Sequence, residues 1–239
     1  MDAIFQFDSS ILMWIQDNLR KGFLNPIVNV ITRLGDKGIL WIAVTLALLA
    51  FRKTRRMGVF CMVSMVIGLI VTNLIIKNWV ARVRPYVLIE GLECLVGVQK
   101  DFSFPSGHTT NSLACAWVLF RMAPRKWGVT ALVVAILISL SRLYVGVHYP
   151  TDVLGGAVIG LGSAYGVQML EQMEKDVDVW GAVRAGDLRP ITAWLGDKIH
   201  RYGQLLTPNE LVLSACGGPF DAHHYVNYLK KKYGELYSL

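Results

Sequence analysis

The sequence predicts an all-α protein: an integral membrane helical bundle of five clear spans, six at most, with an N-terminal interfacial helix and a small helical tail on the cytoplasmic side. Three observations predict it. Of 239 residues, 54% are hydrophobic and 17% charged. The apolar residues come in long blocks rather than in alternation. Much of the positive charge falls in two short connections between blocks. A bundle of soluble buried helices would show one apolar stripe per helix, and most of these blocks are apolar all round.

Taken in order, Phe5, Phe7, Ile11, Leu12, Trp14, Ile15, Leu19 and Phe23 are interspersed with Asp, Asn, Arg and Lys, and Pro26 and Gly35 act as breakers. This pattern predicts an amphipathic helix on the outer membrane face and a second short helix from Pro26, together residues 1–37. Asp8 and Asp17 interrupt the apolar run, which argues against a sixth span there. The N-terminus has no basic region ahead of that run, so no cleavable signal peptide is read. The transmembrane domain is placed at 38–170, with spans at 39–51, 57–76, 109–123, 127–140 and 153–170. A tilted spanning helix needs about 20 residues. Several blocks are shorter and would rely on flanking Lys and Arg snorkelling to the headgroups. Gly155, Gly156, Gly160 and Gly162 predict a close helix-packing face on the last span.

Residues 1–170 carry a net charge of +8 and residues 171–239 a net charge of −1. The runs R-K-T-R-R at 52–56 and R-M-A-P-R-K at 121–126 are tight connections, which excludes a nucleic-acid surface. By the positive-inside rule both are cytoplasmic, and alternation then puts 77–108 and 141–152 outside. Cys61 and Cys115 lie within spans, Cys216 in the tail and Cys94 in the outer loop. No disulfide framework is expected, and Cys94 reads as a small apolar residue.

The polar residues that packing does not explain all fall in the two outer segments. K-N-W-V-A-R-V-R-P at 77–85 continues to F-S-F-P-S-G-H at 102–108, and S-R-L-Y-V-G-V-H-Y-P-T-D occupies 141–152. They supply three cations (Lys77, Arg84, Arg142), a hydroxyl (Ser106), two histidines (His108, His148) and a carboxylate (Asp152). Pro105-Ser106-Gly107 before a helix is an anion cradle: serine caps, glycine admits a ligand to the backbone, and free N–H groups point outward. One histidine can attack phosphorus as neutral imidazole while the other protonates the departing oxygen. Asp152, four residues after His148, can fix a ring tautomer. The cations would offset charge on the transferring phosphoryl group, and the scheme calls for no metal or other cofactor. Spacing alone leaves open which histidine attacks.

The spacings K-x6-R-P (Lys77, Arg84, Pro85), P-S-G-H (Pro105 to His108) and S-R-x5-H-x3-D (Ser141, Arg142, His148, Asp152) resemble the three signature motifs of the type 2 phosphatidic acid phosphatase superfamily. The resemblance covers about residues 20–165. It implies His148 as the nucleophile that forms a phosphohistidine, Asp152 as its orienting group and His108 as the general acid that later activates water. Lys77, Arg84, Ser106, Gly107 and Arg142 would be the phosphate-binding set. The run V-H-Y-P-T-D-V-L-G-G at 147–156 resembles undecaprenyl diphosphate phosphatases and phosphatidylglycerophosphatase B-type enzymes. This implies a lipid phosphate or diphosphate substrate in the bacterial cytoplasmic membrane, cleaved at its extracytoplasmic face. Undecaprenyl diphosphate is favoured, with phosphatidate, phosphatidylglycerophosphate and lysolipid phosphates next. A non-catalytic headgroup binder or transporter would use the cations but has no need of the histidine pair. The membrane spans disfavour vanadate-dependent halide oxidation.

Residues 171–239 change character. Amphipathic helices are expected at 171–184, 190–203 and 224–233. From about residue 165 the tail resembles the C-terminal end of Taq-type zinc carboxypeptidases, on G-D-L-R-P-I-T-A-W-L at 186–195, I-H-R-Y-G at 199–203 and Y-L-K-K-K-Y-G-E-L-Y at 228–237. The family's H-E-x-x-H helix is missing from the chain, so no peptidase activity is carried over. His200, His223 and His224 are expected to pack or face solvent rather than bind metal.

Overall fold

The structure, a computed structural model, describes residues 3–202 and Glu210. Helix α1 (Ala3–Trp14) runs into a π-helical turn, Ile15–Leu19, and α2 (Leu24–Leu34) follows. A 3-10 turn at Asp36–Gly38 leads to α3 (Ile39–Ala50). Helix α4 (Arg55–Leu69) passes through a π-helical stretch, Ile70–Ile76, into α5 (Lys77–Val80), and α6 (Pro85–Leu88) is a single turn. Then come α7 (Gly107–Met122), α8 (Arg125–Tyr144), α9 (Pro150–Asp176), α10 (Val179–Ala185) and α11 (Arg189–Lys198). The chain divides into two compact units, Met1–Tyr165 and Gly166–Leu239.

In the first unit the core joins α3, α4, α7, α8 and the first part of α9 through Trp41, Cys61, Met65, Cys115, Ala135, Ile138 and Ala164. The outward faces of α3, α4, α8 and α9 remain apolar: Ile42, Leu46, Val66, Val133, Leu137, Leu154 and Val158 are exposed. Such a surface suits hydrocarbon, where helices satisfy their own backbone groups. Three stretches, Arg55–Leu88, Arg125–Tyr144 and Pro150–Asp176, are long and apolar enough to cross a membrane. Helices α3 and α7, with 12 and 16 residues, are shorter. Along α7, Thr109, Thr110, Ser112, Ala114, Cys115, Ala116, Val118 and Leu119 are all buried, so this helix faces protein rather than lipid.

Helix packing at α9 follows the glycine pattern in three of four places. A Cβ at Gly155 would sit 2.6 Å from Phe104, at Gly156 2.6 Å from the Ser106 carbonyl, and at Gly160 2.5 Å from the Thr110 carbonyl. Only a bare backbone allows α7 and α9 this approach. Gly162 has open space around it and takes no part.

Helix α1 keeps the exposed apolar face of the interfacial helix expected, with Ile4, Phe7 and Trp14 outward, and packs its other edge inward. Asp8 and Leu12 are fully buried, and Phe5 packs on Tyr149. Asp8 interrupts the apolar run because it has buried partners, not because it faces water. Arg20, just after α1, donates to the Tyr144 and Glu93 carbonyls, both at 2.8 Å, and so ties the 89–103 loop to the end of α8. Leu95 N–H bonds the Val145 carbonyl at 3.1 Å beside it. Gly146, at φ +77°, lies against Arg20 and the Glu93 carbonyl, each 2.7 Å from where a Cβ would stand. No side chain fits that corner.

The second unit differs from the expected start at residue 171: α9 runs on to Asp176, so residues 171–176 prolong the last long helix. The break comes at Val177–Asp178, where the Asp178 carboxylate caps α10 by accepting from Gly181 N at 3.0 Å. Met173, Val179 and Trp194 form a small core, and Trp194 Nε1 donates to Asp176 at 2.8 Å. The helix expected at 190–203 is α11 followed by a 3-10 turn at His200–Tyr202. The helix expected at 224–233, with Cys216, His223 and His224, lies outside the described residues.

Candidate active site

The K-x6-R-P segment gets its shape from a helix that ends and restarts. Ala81, in the left-handed region at φ 47°, closes α5 after Lys77. Arg84 is extended, as a residue before proline must be, and Pro85 opens α6 at its first position. Lys77 and Arg84 are thereby folded inward and are both buried. They meet at Asp101 of the outer loop. Lys77 Nζ pairs with Asp101 Oδ2, and Arg84 Nη2 donates to Oδ1 at 2.6 Å. Burial opposes the Asp101 charge, yet the two cations hold its carboxyl down to about 2.

Arg84 also reaches the third motif. Its Nη1 donates to the Val147 carbonyl at 2.8 Å and lies 3.0 Å from His148 Nε2. A guanidinium carries donors only, so Nε2 is the accepting nitrogen and the ring proton is on Nδ1. His148 Nδ1 then donates to Asp152 Oδ2 at 3.3 Å. Burial pushes His148 down to about 3 against the pull of Asp152, so at neutral pH the ring is uncharged. The geometry thus aims the Nε2 lone pair at the cations, with Arg84 Nη1 donating to it.

Asp152 is itself fixed on every side. Its Oδ2 accepts from Ser103 Oγ and from Tyr149 N at 2.9 Å, and its Oδ1 accepts from Arg82 Nη1 at 2.7 Å. Arg82 in turn donates to Asp8 Oδ2 at 2.7 Å and lies 3.8 Å above the Tyr149 ring. Asp8 also takes Thr151 Oγ1 at 2.5 Å and Thr151 N at 3.1 Å. A chain of charges therefore runs from α1 to the imidazole.

The P-S-G-H segment starts α7. Ser106 caps it, taking Thr109 Oγ1 at 3.1 Å, and Ser106 N–H bonds the Asp152 carbonyl at 3.0 Å, which ties this motif to the third. The first-turn amides at Gly107 and His108 have no intrahelical partner, as at any helix start. A Cβ on Gly107 would meet nothing closer than Asn73 Oδ1 at 3.6 Å, so a ligand can approach that backbone. His108 lies beside Asp36, its Nε2 3.0 Å from Oδ1. Arg142, at the end of α8, is buried and donates from Nη1 to Thr32 on α2 at 2.6 Å.

All eight residues singled out in the sequence therefore fall at one end of the first unit. The pairings they make came as additions: Asp36, Asp101, Arg82, Ser103, Asp8 and Thr32. Ser103 and Asp101 lie within five residues of Ser106, and Arg82 sits inside the first motif, so their neighbourhood was a signal. Asp8, Thr32 and Asp36 gave none.

The match with known proteins follows the same motifs. Residues 58–175 match the PAP2 superfamily, and residues 147–233 match the carboxypeptidase Taq (M32) metallopeptidase family. Phosphatidylglycerophosphatase B of Bacillus subtilis is 34% identical over 157 residues, covering 60% of this chain and 73% of the relative. The chain belongs to the PAP2 superfamily. It is an integral membrane protein and a membrane lipid phosphatase of that family. The undecaprenyl-diphosphatase of Sulfolobus acidocaldarius is 33% identical over 137 residues, covering 57% of this chain and 66% of the relative. The chain thus spans about two thirds of that relative's length. The crystal structure of a transmembrane PAP2-type phosphatidylglycerolphosphate phosphatase from Bacillus subtilis superimposes with a TM-score of 0.59 at 29% identity, over 72% of this chain and 88% of that one. The M32 match supports the likeness of the tail to a Taq-type carboxypeptidase, and the sequence contains no H-E-x-x-H.

Proposed function

We propose that the enzyme removes the terminal phosphate of a lipid diphosphate, undecaprenyl diphosphate foremost, through a phosphohistidine on His148 at the extracytoplasmic face of the cytoplasmic membrane. The observation that carries the mechanism is the His148 tautomer: Nδ1–H on a buried carboxylate, Nε2 accepting from Arg84. A neutral imidazole held this way becomes the nucleophile once the incoming phosphate draws Arg84 off Nε2.

Nε2 attacks the terminal phosphorus, and the bond from phosphorus to the bridging oxygen breaks. The ring is then cationic at phosphohistidine, and Asp152 stabilises it through the Nδ1 proton. Arg84, Lys77, Arg142 and the first amides of α7 take the equatorial oxygens, where charge has to be held. Burial and the Arg142 charge push His108 down to about 4 against the pull of Asp36, so it takes up a proton as the anionic substrate enters and gives that proton to the leaving oxygen. Once neutral, it takes a proton from water, which attacks the phosphohistidine, frees phosphate and restores His148. The basic runs at 52–56 and 121–126 support the outward orientation.

The diphosphate preference rests on the Sulfolobus relative, and the Bacillus phosphatidylglycerophosphatase B favours a glycerophospholipid phosphate as the second reading. Phosphate release in detergent with EDTA, from undecaprenyl diphosphate, phosphatidate and phosphatidylglycerophosphate, decides between them. Release from the diphosphate that disappears in His148→Ala is the expected result. Faster release from either glycerophospholipid overturns the substrate, and full activity in His148→Ala overturns the nucleophile.

A further inference from the structure

Helix α2 has two opposite faces. Phe23, just before it, and Ile27, Val30 and Leu34 form one exposed apolar stripe. Asn29, Thr32 and Arg33, with Asp36 one turn on, form the other, and that face walls a cavity of about 430 Å³. Arg142, residues 94–97 and Gln99 complete the wall. The size is that of a ligand site, and the lining is too polar for a hydrocarbon tail.

The cavity borders the reaction on one particular side. It shares Arg142 with the anion site and Asp36 with His108, the group placed against the leaving oxygen. Asp36, paired with His108, also lines the cavity, so its wall carries the two cations Arg33 and Arg142 and one carboxylate. Arg142 keeps a buried Nε, and Asn29 a buried Oδ1, with no hydrogen-bond partner among the described residues. The Arg142 Nε–H is a buried donor that costs stability unless a ligand accepts from it, whereas Asn29 Oδ1 is an acceptor and calls for a donor.

We infer that this cavity seats the inner phosphate of a diphosphate, and that Arg33 is the specificity-determining residue that binds it. The inference rests on the lipid diphosphate reading above and deepens it. The terminal phosphate lies among Lys77, Arg84 and Arg142, and the inner phosphate lies between Arg142 and Arg33. A monophosphate has nothing to offer Arg33, so that cation separates the two substrate classes.

The test uses the full chain in detergent with farnesyl diphosphate and farnesyl monophosphate, which share one tail. Arg33 is exposed, so Arg33→Gln leaves the fold intact. In Arg33→Gln the ratio of kcat/KM for diphosphate over monophosphate is expected to fall about tenfold, through KM, with partial recovery in Arg33→Lys. Inhibition by inorganic pyrophosphate should weaken by about the same factor while inhibition by orthophosphate stays within about twofold, a pattern that a general loss of surface charge would not give. An unchanged ratio, or an equal fall for both substrates, overturns the inference and leaves the phosphatase reading standing. Wild-type protein that releases phosphate from neither substrate overturns both.

Discussion

The two histidines are each paired with a carboxylate, and the pairs are built differently. His148 and Asp152 are 2% and 0% exposed at their side chains, and Asp152 has a hydroxyl, an amide and a guanidinium on it besides the imidazole. His108 and Asp36 are 18% and 51% exposed, and one contact of 3.0 Å joins them. The difference matches the two tasks proposed for them. A nucleophile has one orientation and one tautomer to keep, so its partner is locked. A group that gives a proton to one oxygen and takes one from another has to be reachable by substrate and water. Buried charge networks resist rearrangement, because removing one member strands the rest at a cost of roughly 3–5 kcal/mol, while exposed pairs contribute about 0–1 kcal/mol.

The sharpest way to break the contrast is Asp152→Asn. The amide can accept where the carboxylate did, but it no longer fixes Nδ1–H, and the Nε2 lone pair is lost to the wrong tautomer. The expected fall in kcat is about 10³-fold or more, with KM little changed. A loss under tenfold would mean that Arg84 alone sets the tautomer. His108→Ala is expected to cost less and to depend on the substrate. An alkyl phosphate, whose leaving oxygen needs a proton, should slow by roughly 10²–10⁴-fold, and p-nitrophenyl phosphate far less. Equal losses for the two would remove His108 from the acid role.

Sequence reached the charged half of this machinery and not the half that holds it. Lys77, Arg84, Arg142, Ser106, Gly107, His108, His148 and Asp152 stand out because polar groups flanking apolar blocks have no packing reason to be there. Asp36 and Asp8 pair with residues 72 and 143 positions away, distances at which no local pattern survives. Asp8 even pointed the wrong way, since a carboxylate in an apolar run reads as the wet side of a surface helix. The length and apolarity of the block at 109–123 were equally legible. That its helix is wrapped by α3, α4, α8 and α9 was not, because hydropathy does not separate a helix buried in protein from one facing lipid.

The locked pair also carries a pH signature. His148, at about 3 in the folded chain against an ordinary value near 6.5, stays neutral where the unfolded chain is already protonated. Its contribution is complete above pH 6.5 and lost as pH falls toward 3, at about 1.4 kcal/mol per unit. Between pH 6.5 and 5 this amounts to roughly 2 kcal/mol. Thermal unfolding in detergent should show Tm dropping over that range, with a flatter profile in His148→Gln. Parallel profiles would show that another group titrates.

Asp36→Asn should have the smallest effect, and its form separates the two designs. The asparagine keeps a hydrogen bond to His108 Nε2 and loses the charge that favours imidazolium. With half of the Asp36 side chain exposed, water screens much of that loss, so turnover should fall only about two- to tenfold. The fall should deepen as pH rises, because His108 must be protonated for the first step and has lost the carboxylate that stabilises the charge. The acidic half of the Asp36→Asn pH profile should therefore overlay wild type, while the alkaline half shifts to lower pH. Added salt should shrink the difference between the two proteins, as it does for exposed pairs and not for a network like that around Asp152. A uniform loss at all pH values and salt concentrations would mean that Asp36 positions the ring by geometry alone, and that the open pair is as fixed as the buried one.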